Sequence, residues 1–377
     1  MEQFWALNTM QCATDFISKN ADQGELPTLE NYVGDDPKTG RAYVRISISD
    51  APDVDAAVIA AKEAFPAWSR TSRKIRSGYL QKIATLLEEN KELFAVWESI
   101  DQGQTIQRAR IEVDRAVSNF QYFSTFILHE DHRARMKIAP CLVFGCTAVA
   151  KPSEVTSMTA YLLSEIFRRV KLPAGVVNMV FGDGATTGSA LLSHPGIHGI
   201  SFTGGTATGI QIYKHLSLEL GGKNPTLVFD DVDMDEAICL CGSRIYIQSC
   251  IFDEFVAKFK THTSHTHKIK NTVGAVVSLT HYNKIRSYLK IAEAEGAKFE
   301  LGQVPLSEPR AGYWIDLVVL PGVKQGSRVA GLVWVNCWLV RELGVPFAGM
   351  KNSGVGREGG EYSREVFTNV RTLHLAQ

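Results

Sequence analysis

From about residue 140 onward the chain alternates short apolar runs, each closed by Gly, Pro or Ser, with stretches of helical periodicity. The runs are Cys146 to Ala150, Val176 to Phe181, Gly199 to Thr203 and Pro225 to Phe229. Strand, helix, strand in repetition predicts an α/β fold built on a doubly wound, mostly parallel sheet. Sheets of this kind bind nucleotides in the crevice at the carboxyl ends of their strands.

The part before residue 140 reads differently. Val54, Ala57, Val58, Ala61, Phe65 and Trp68 recur at helical spacing behind Asp50-Ala-Pro, a start signal, and predict a helix over 52–68. A second helix is expected from Arg73 to about Glu98, carrying Ile75, Tyr79, Ile83, Leu86, Leu87, Leu93 and Phe94, with a stop near Asp101-Gln-Gly103. A third follows from Ile106 to Phe126. Later helical stretches run from Phe252 to His262 and from Tyr282 to Gly296, before a strand over Leu332 to Cys337 and a Gly-rich loop from Gly344 to Gly360.

At 377 residues there is enough chain for two or three cores. Lys plus Arg and Asp plus Glu both number 40, so no overall basic field exists to hold a polyanion, and a nucleic-acid partner is not expected. The start lacks a basic segment leading into an apolar run, and no long uncharged apolar window follows, so secretion and a membrane partner are not expected either. Seven scattered cysteines, an odd number, read as reduced thiols in a cytoplasmic protein, some of them reactive.

Two Gly-rich segments follow strands. Phe181-Gly-Asp-Gly-Ala-Thr-Thr-Gly188 has one residue too many for the dinucleotide fingerprint and reads more readily as a tight strand-to-helix turn. Ser201-Phe-Thr-Gly-Gly-Thr-Ala-Thr-Gly209 has backbone N–H groups at a helix start that suit a pyrophosphate. His262, His265 and His267 lie together without the spacing or cysteine partners of a metal site, and no metal is expected.

Four strings in order carry more information: Ala150-Lys-Pro-Ser-Glu154, the Phe-Thr-Gly stretch, Ser217-Leu-Glu-Leu-Gly-Gly-Lys-Asn-Pro225, and Pro346-Phe-Ala-Gly-Met-Lys-Asn-Ser-Gly-Val-Gly-Arg-Glu-Gly359. Together they resemble the aldehyde dehydrogenase superfamily, over nearly the whole chain from Asp36. Ile238-Cys-Leu-Cys-Gly-Ser-Arg244 and Asn336-Cys-Trp-Leu-Val-Arg-Glu-Leu343 are most similar to its 2-aminomuconic semialdehyde dehydrogenase branch.

The resemblance implies a Rossmann-type NAD-binding domain over 1–223, an α/β catalytic domain over 224–354 and a C-terminal oligomerisation segment over 355–377. It implies Cys239 as the nucleophile, followed four residues later by Ser243, and Glu219 as the base that activates the hydrolytic water. It places Lys151 and Glu154 at the adenosine ribose of NAD, with Ser153, Thr203, Gly204, Gly205, Gly209, Leu220 and Gly221 also lining the cofactor. Gly205 stands where the family commonly has Ser. Arg115 and Arg341 fall where the branch holds a substrate carboxylate, although each reads equally as a solvated surface charge.

Three stretches of the family pattern are absent. The Pro-Trp-Asn segment, which carries an oxyanion-stabilising amide, is missing near 130–137. A helix is missing near 237, leaving only 20 positions between Glu219 and Cys239. The Glu-Ile-Phe-Gly-Pro motif is missing near 324–329, and Ala348 replaces a usual glycine. The expected function is therefore NAD-dependent oxidation of a small, carboxylate-bearing aldehyde by a dimer or tetramer. The alternative is an inactive family member that serves as an interaction subunit through its Phe367 to Leu375 strand.

Overall fold

The computed structural model describes residues 31–129, 138–204, 208–209, 216–219, 225–231, 244–265, 274–294, 299–305, 309, 312–316, 318–319, 334–335 and 354–355. The segments 130–137 and 324–329, and the Phe367 to Leu375 strand, lie outside them, as does His267.

A hairpin of β1 (Asn31–Asp36) and β2 (Arg41–Ser47) opens the described chain, closing antiparallel through a turn in which Asp36 accepts from the backbone N–H of Lys38. Four helices follow: α1 (Ala51–Ser69), α2 (Arg73–Glu89), α3 (Lys91–Gln102) and α4 (Ile106–His129). Asp50 starts α1 as expected. Its carboxylate accepts from the Asp53 N–H while Asp53 reaches back to the Asp50 N–H, satisfying two donors that a helix start leaves open.

The single helix expected from Arg73 to Glu98 is in fact two. Asn90 ends α2 with its side-chain amide on the Leu86 carbonyl at 2.7 Å, and its φ of −108° and ψ of 20° leave the helical region. A short amide side chain that competes with the backbone in this way turns the chain without a glycine or proline. The expected stop at Gly103 holds, with φ at +79°. The third helix runs one turn past Phe126, to His129.

These helices build the main core. Leu80, Ile83, Ala84 and Leu87 of α2 pack with Ala95 and Trp97 of α3 and with Val113, Val117, Phe120 and Phe123 of α4, all buried. Burial of such side chains contributes about 1.5–3 kcal/mol each. The short α5 (Ile138–Val143) adds Leu142 and Val143, and α6 (Met158–Arg169) adds Leu162 and Ile166.

One buried cation ties this core together. Arg76 is 7% exposed, and its guanidinium donates to the carbonyls of Val143 at 2.9 Å, Thr71 at 2.7 Å and Ser69 at 3.3 Å. Ser69 and Val143 are the last residues of α1 and α5, whose terminal carbonyls carry partial negative charge.

The strands beyond residue 140 are β3 (Ala148–Ala150), β4 (Val177–Met179), β5 (Ile200–Thr203), β6 (Leu216–Glu219), β7 (Pro225–Val228), β8 (Arg244–Ile247), β9 (Trp334–Val335) and β10 (Gly354–Val355). The four expected runs all contain strands, each shortened at one or both ends. Hydrogen bonds divide the strands into groups: β3 with β4, β10-β6-β5, and β8-β7-β9. All pairs in these groups are parallel except β10 with β6. Among the described residues, the parallel character expected of the fold is present, but one continuous sheet is not. β8, with Ile245 and Ile247 partly buried against Val228, is a strand that the sequence did not single out.

A π-helical turn (Gly184–Gly188) leads into α7 (Ser189–Ser193). After β8 come α8 (Phe252–His265) and α9 (Leu279–Ala294). His262 and His265 lie in the last turn of α8, with their side chains outside the description. Among the described residues, no helix is long and apolar enough to cross a membrane.

Candidate active site

Lys151 follows directly on the carboxyl end of β3, where parallel strands present ligands. Its ammonium donates to the carbonyls of Pro152 and Gly182, each at 2.8 Å, and stands 3.6 Å from a carboxylate oxygen of Glu154. Gly182 follows β4, so Lys151 bridges the exits of two paired strands. An ammonium has three donors, and two are taken. The separation from Glu154 is longer than a charge-assisted hydrogen bond, so the third donor and the carboxylate both keep capacity for a ligand. The two side chains are 16% and 34% exposed.

The loop that carries this pair is braced from below. Ser153 is exposed, while its carbonyl accepts from the Thr156 N–H at 3.2 Å and the Ser157 hydroxyl at 2.9 Å. Asp101, 1% exposed at the end of α3, accepts from the Met158 N–H at 2.9 Å. A carboxylate at the start of α6 meets the positive end of that helix. Sequence reading missed Asp101, since nothing local to it marks a partner 57 residues away.

The segment 181–188 is a turn. Asp183 accepts from the Thr186 N–H at 2.6 Å, and the buried Thr187 donates to the Ser49 carbonyl at 2.6 Å. It contributes the Gly182 carbonyl beneath Lys151, and Gly188 lies against the lysine chain.

A second group forms around β6. Glu219 ends this strand, paired in register with Thr203 of β5 on one side and Gly354 of β10 on the other. Thr203 is exposed at the carboxyl end of β5, Gly204 follows it, and Gly209 is buried. A side chain at Gly204 would meet the Phe202 ring at 2.5 Å, so any larger residue there would have to displace that ring. The Glu219 side chain is outside the description, as are Gly205, Leu220, Gly221, Cys239 and Arg341.

Arg115 lies on α4, 41% exposed, and its guanidinium holds Glu112 at 2.9 and 3.1 Å. Arg108 holds the same carboxylate at 2.7 Å. Glu112 thus pairs with two guanidiniums at once.

Nearby, the partly buried Glu98 has its carboxyl pushed up to about 7. Burial is the main cause, and the negative charges of Asp101 and Glu112 add to it against a hydrogen bond from Thr159. Sequence reading missed this group as well, because its environment comes from three separate helices.

Comparison with known proteins agrees with the motifs. The model of the aldehyde dehydrogenase family matches residues 28–136, 132–331 and 329–373. Two of the three absent stretches, near 130–137 and 324–329, fall at the joints between these matches. The human 2-aminomuconic semialdehyde dehydrogenase is 36% identical over 476 aligned positions, covering 94% of this chain and 97% of that protein. An alignment longer than the chain's 377 residues means that the relative carries segments absent here. Among solved structures, a Burkholderia cenocepacia protein described as a putative aldehyde dehydrogenase superposes with a TM-score of 0.82 at 28% identity, covering 90% of this chain and 92% of that one. PnpE in complex with nicotinamide adenine dinucleotide gives 0.79 at 27% identity, over 89% and 92%.

Proposed function

Because the chain belongs to the aldehyde dehydrogenase family, we propose that it oxidises a carboxylate-bearing semialdehyde to the acid with NAD as the cofactor. The observation that carries the cofactor reading is the Lys151 and Glu154 pair at the exits of β3 and β4. A donor and an acceptor side by side, both partly exposed, fit the vicinal hydroxyls of a ribose. A carboxylate at that position favours NAD over its 2′-phosphorylated form. Thr203 and Gly204 stand at the end of β5, where close backbone approach suits a pyrophosphate, and Gly209 is assigned to the same cofactor segment further along the chain.

In this reading the thiolate of Cys239 attacks the aldehyde carbon and forms a thiohemiacetal. NAD, when bound, supplies the hydride acceptor that leaves a thioester on Cys239. Glu219 then takes a proton from water, the resulting nucleophile attacks the thioester, and the acid departs with the thiolate restored. The backbone register of β5 and β6, which pairs Glu219 with Thr203, supports a base close to the cofactor edge. Arg115 and Arg341 hold the remote carboxylate of the substrate, with Glu112 fixing the orientation of Arg115.

The missing Pro-Trp-Asn segment removes one oxyanion donor, and loss of such a donor typically costs about 100- to 1000-fold in rate. Turnover is accordingly expected to be slow beside that of relatives that keep the segment. We assign residues 1–223 to cofactor binding, 224–354 to catalysis and 355–377 to association of subunits in a cytoplasmic enzyme. The alternative of an inactive interaction subunit draws on the three absent stretches, but the family match and the named dehydrogenase relatives do not support it. The test is NADH formation from NAD and a muconate-type semialdehyde, with Cys239→Ala as the control.

A further inference from the structure

The connection from α5 to β3 ends in a helix cap with two cysteines at its contact positions. The Cys146 N–H donates to the Cys141 carbonyl at 3.0 Å, and the Gly145 N–H donates to the Leu142 carbonyl at 3.0 Å. Gly145 between them has φ at +85°. These two nested hydrogen bonds around a left-handed glycine define a Schellman motif, which brings the side chains at its two ends into contact. An apolar pair usually occupies those ends. Here they are Cys141, buried, and Cys146, partly exposed, both present as thiols and hydrogen-bonded to each other.

We propose that Cys141 and Cys146 form a peroxide-sensitive dithiol, a modification site separate from Cys239, in which Cys146 is the reacting thiol and Cys141 the resolving one. The roles follow from exposure and charge. Cys146 is the accessible member, and the Arg76 guanidinium lies against the adjoining Gly145, where a side chain would meet its Nη1 at 3.1 Å. The hydrogen bond from Cys141 and the field of Arg76 both favour the Cys146 thiolate, the form that reacts. Cys141 is held protonated by the same contact and by burial, with the Thr147 carbonyl 3.7 Å away as a second acceptor.

The chemistry balances with hydrogen peroxide as the oxidant. The Cys146 thiolate attacks one peroxide oxygen, an S–O bond forms, the O–O bond breaks, and hydroxide leaves and is protonated to water. The Cys141 sulfur, losing its proton, then attacks the sulfenic acid; the S–S bond forms and the oxygen departs as a second water. Two thiols and one peroxide give one disulfide and two waters. The bridge would clamp the connection that leads through β3 to Lys151. Backbone movement needed for closure is small, because the cap already holds the two residues together.

The test uses the full-length protein, exposed to hydrogen peroxide, unfolded, alkylated with iodoacetamide, then reduced and labelled with N-ethylmaleimide. Both cysteines fall in one tryptic peptide, residues 138–168, because the Lys151-Pro152 bond resists trypsin. The proposal expects that peptide, before reduction, to have lost two hydrogens and to carry no iodoacetamide label, and after reduction to carry two maleimides. In Cys146→Ser, Cys141 should stay alkylatable throughout. Alkylation of both cysteines in the peroxide-treated wild type, or conversion of Cys146 to sulfinic acid beside an unmodified Cys141, would overturn it. The wild-type result decides the matter even if a variant does not fold.

Discussion

Glu219 stands in register with Thr203, each the last residue of its strand in the parallel β5 and β6 pair. The carboxyl ends of parallel strands are where this class of sheet places its ligands. If Glu219 activates the hydrolytic water, Glu219→Gln should leave the first acylation intact and slow the release of acid by about 100-fold or more. Rapid-mixing measurements should then show a burst of NADH followed by a slow steady rate. Loss of the burst together with the steady rate would argue for a different role.

Removal of the Glu154 charge should loosen cofactor selection. Glu154→Gln is expected to raise KM for NAD by roughly tenfold, the loss of about one charge-assisted hydrogen bond, and to narrow the preference over NADP. Initial rates with both cofactors measure this directly.

The buried Arg76 makes a structural prediction independent of catalysis. Arg76→Met would leave the carbonyls of Ser69, Thr71 and Val143 without their donor in a buried site. A loss of about 3 kcal/mol is expected, read as a fall in the denaturant midpoint with the slope unchanged. A change under about 0.5 kcal/mol would mean that water replaces the guanidinium at little cost.

Glu98 gives the stability a pH dependence. Its folded value of about 7 lies above the ordinary 4.5, so the folded state binds the proton more tightly than the unfolded state. The contribution to stability is therefore fully present below about pH 4.5 and is lost as pH rises through about 7, by about 3 kcal/mol in all. In Glu98→Gln this component should vanish, leaving the variant more stable than wild type at pH 8. Urea titrations at pH 5 and pH 8 on both proteins check the sign.

Much of the architecture was readable where the signal is local. The start of α1 is written in Asp50 and Asp53, and the end of α3 in Gly103. The break at Asn90 was not readable, because the apolar spacing continues across it and only the captured Leu86 carbonyl reveals the turn. The site divides the same way. Lys151, Glu154 and Glu219 came from short strings with a recognisable family pattern. Asp101 and Glu98 owe their properties to residues far along the chain, and no window around either one shows it. The Cys141 and Cys146 pair lies between: the glycine before Cys146 marks a helix end, but only the folded cap shows that the two sulfurs meet.

The central claim is that this shortened chain is a cysteine-dependent, NAD-reducing aldehyde dehydrogenase. The most direct measurement is the absorbance of NADH when the purified protein meets NAD and a muconate-type semialdehyde, with Cys239→Ala run alongside. The account predicts slow turnover in the wild type that disappears in Cys239→Ala. No NADH from a cooperatively folded wild type, or an equal rate in the variant, would contradict it.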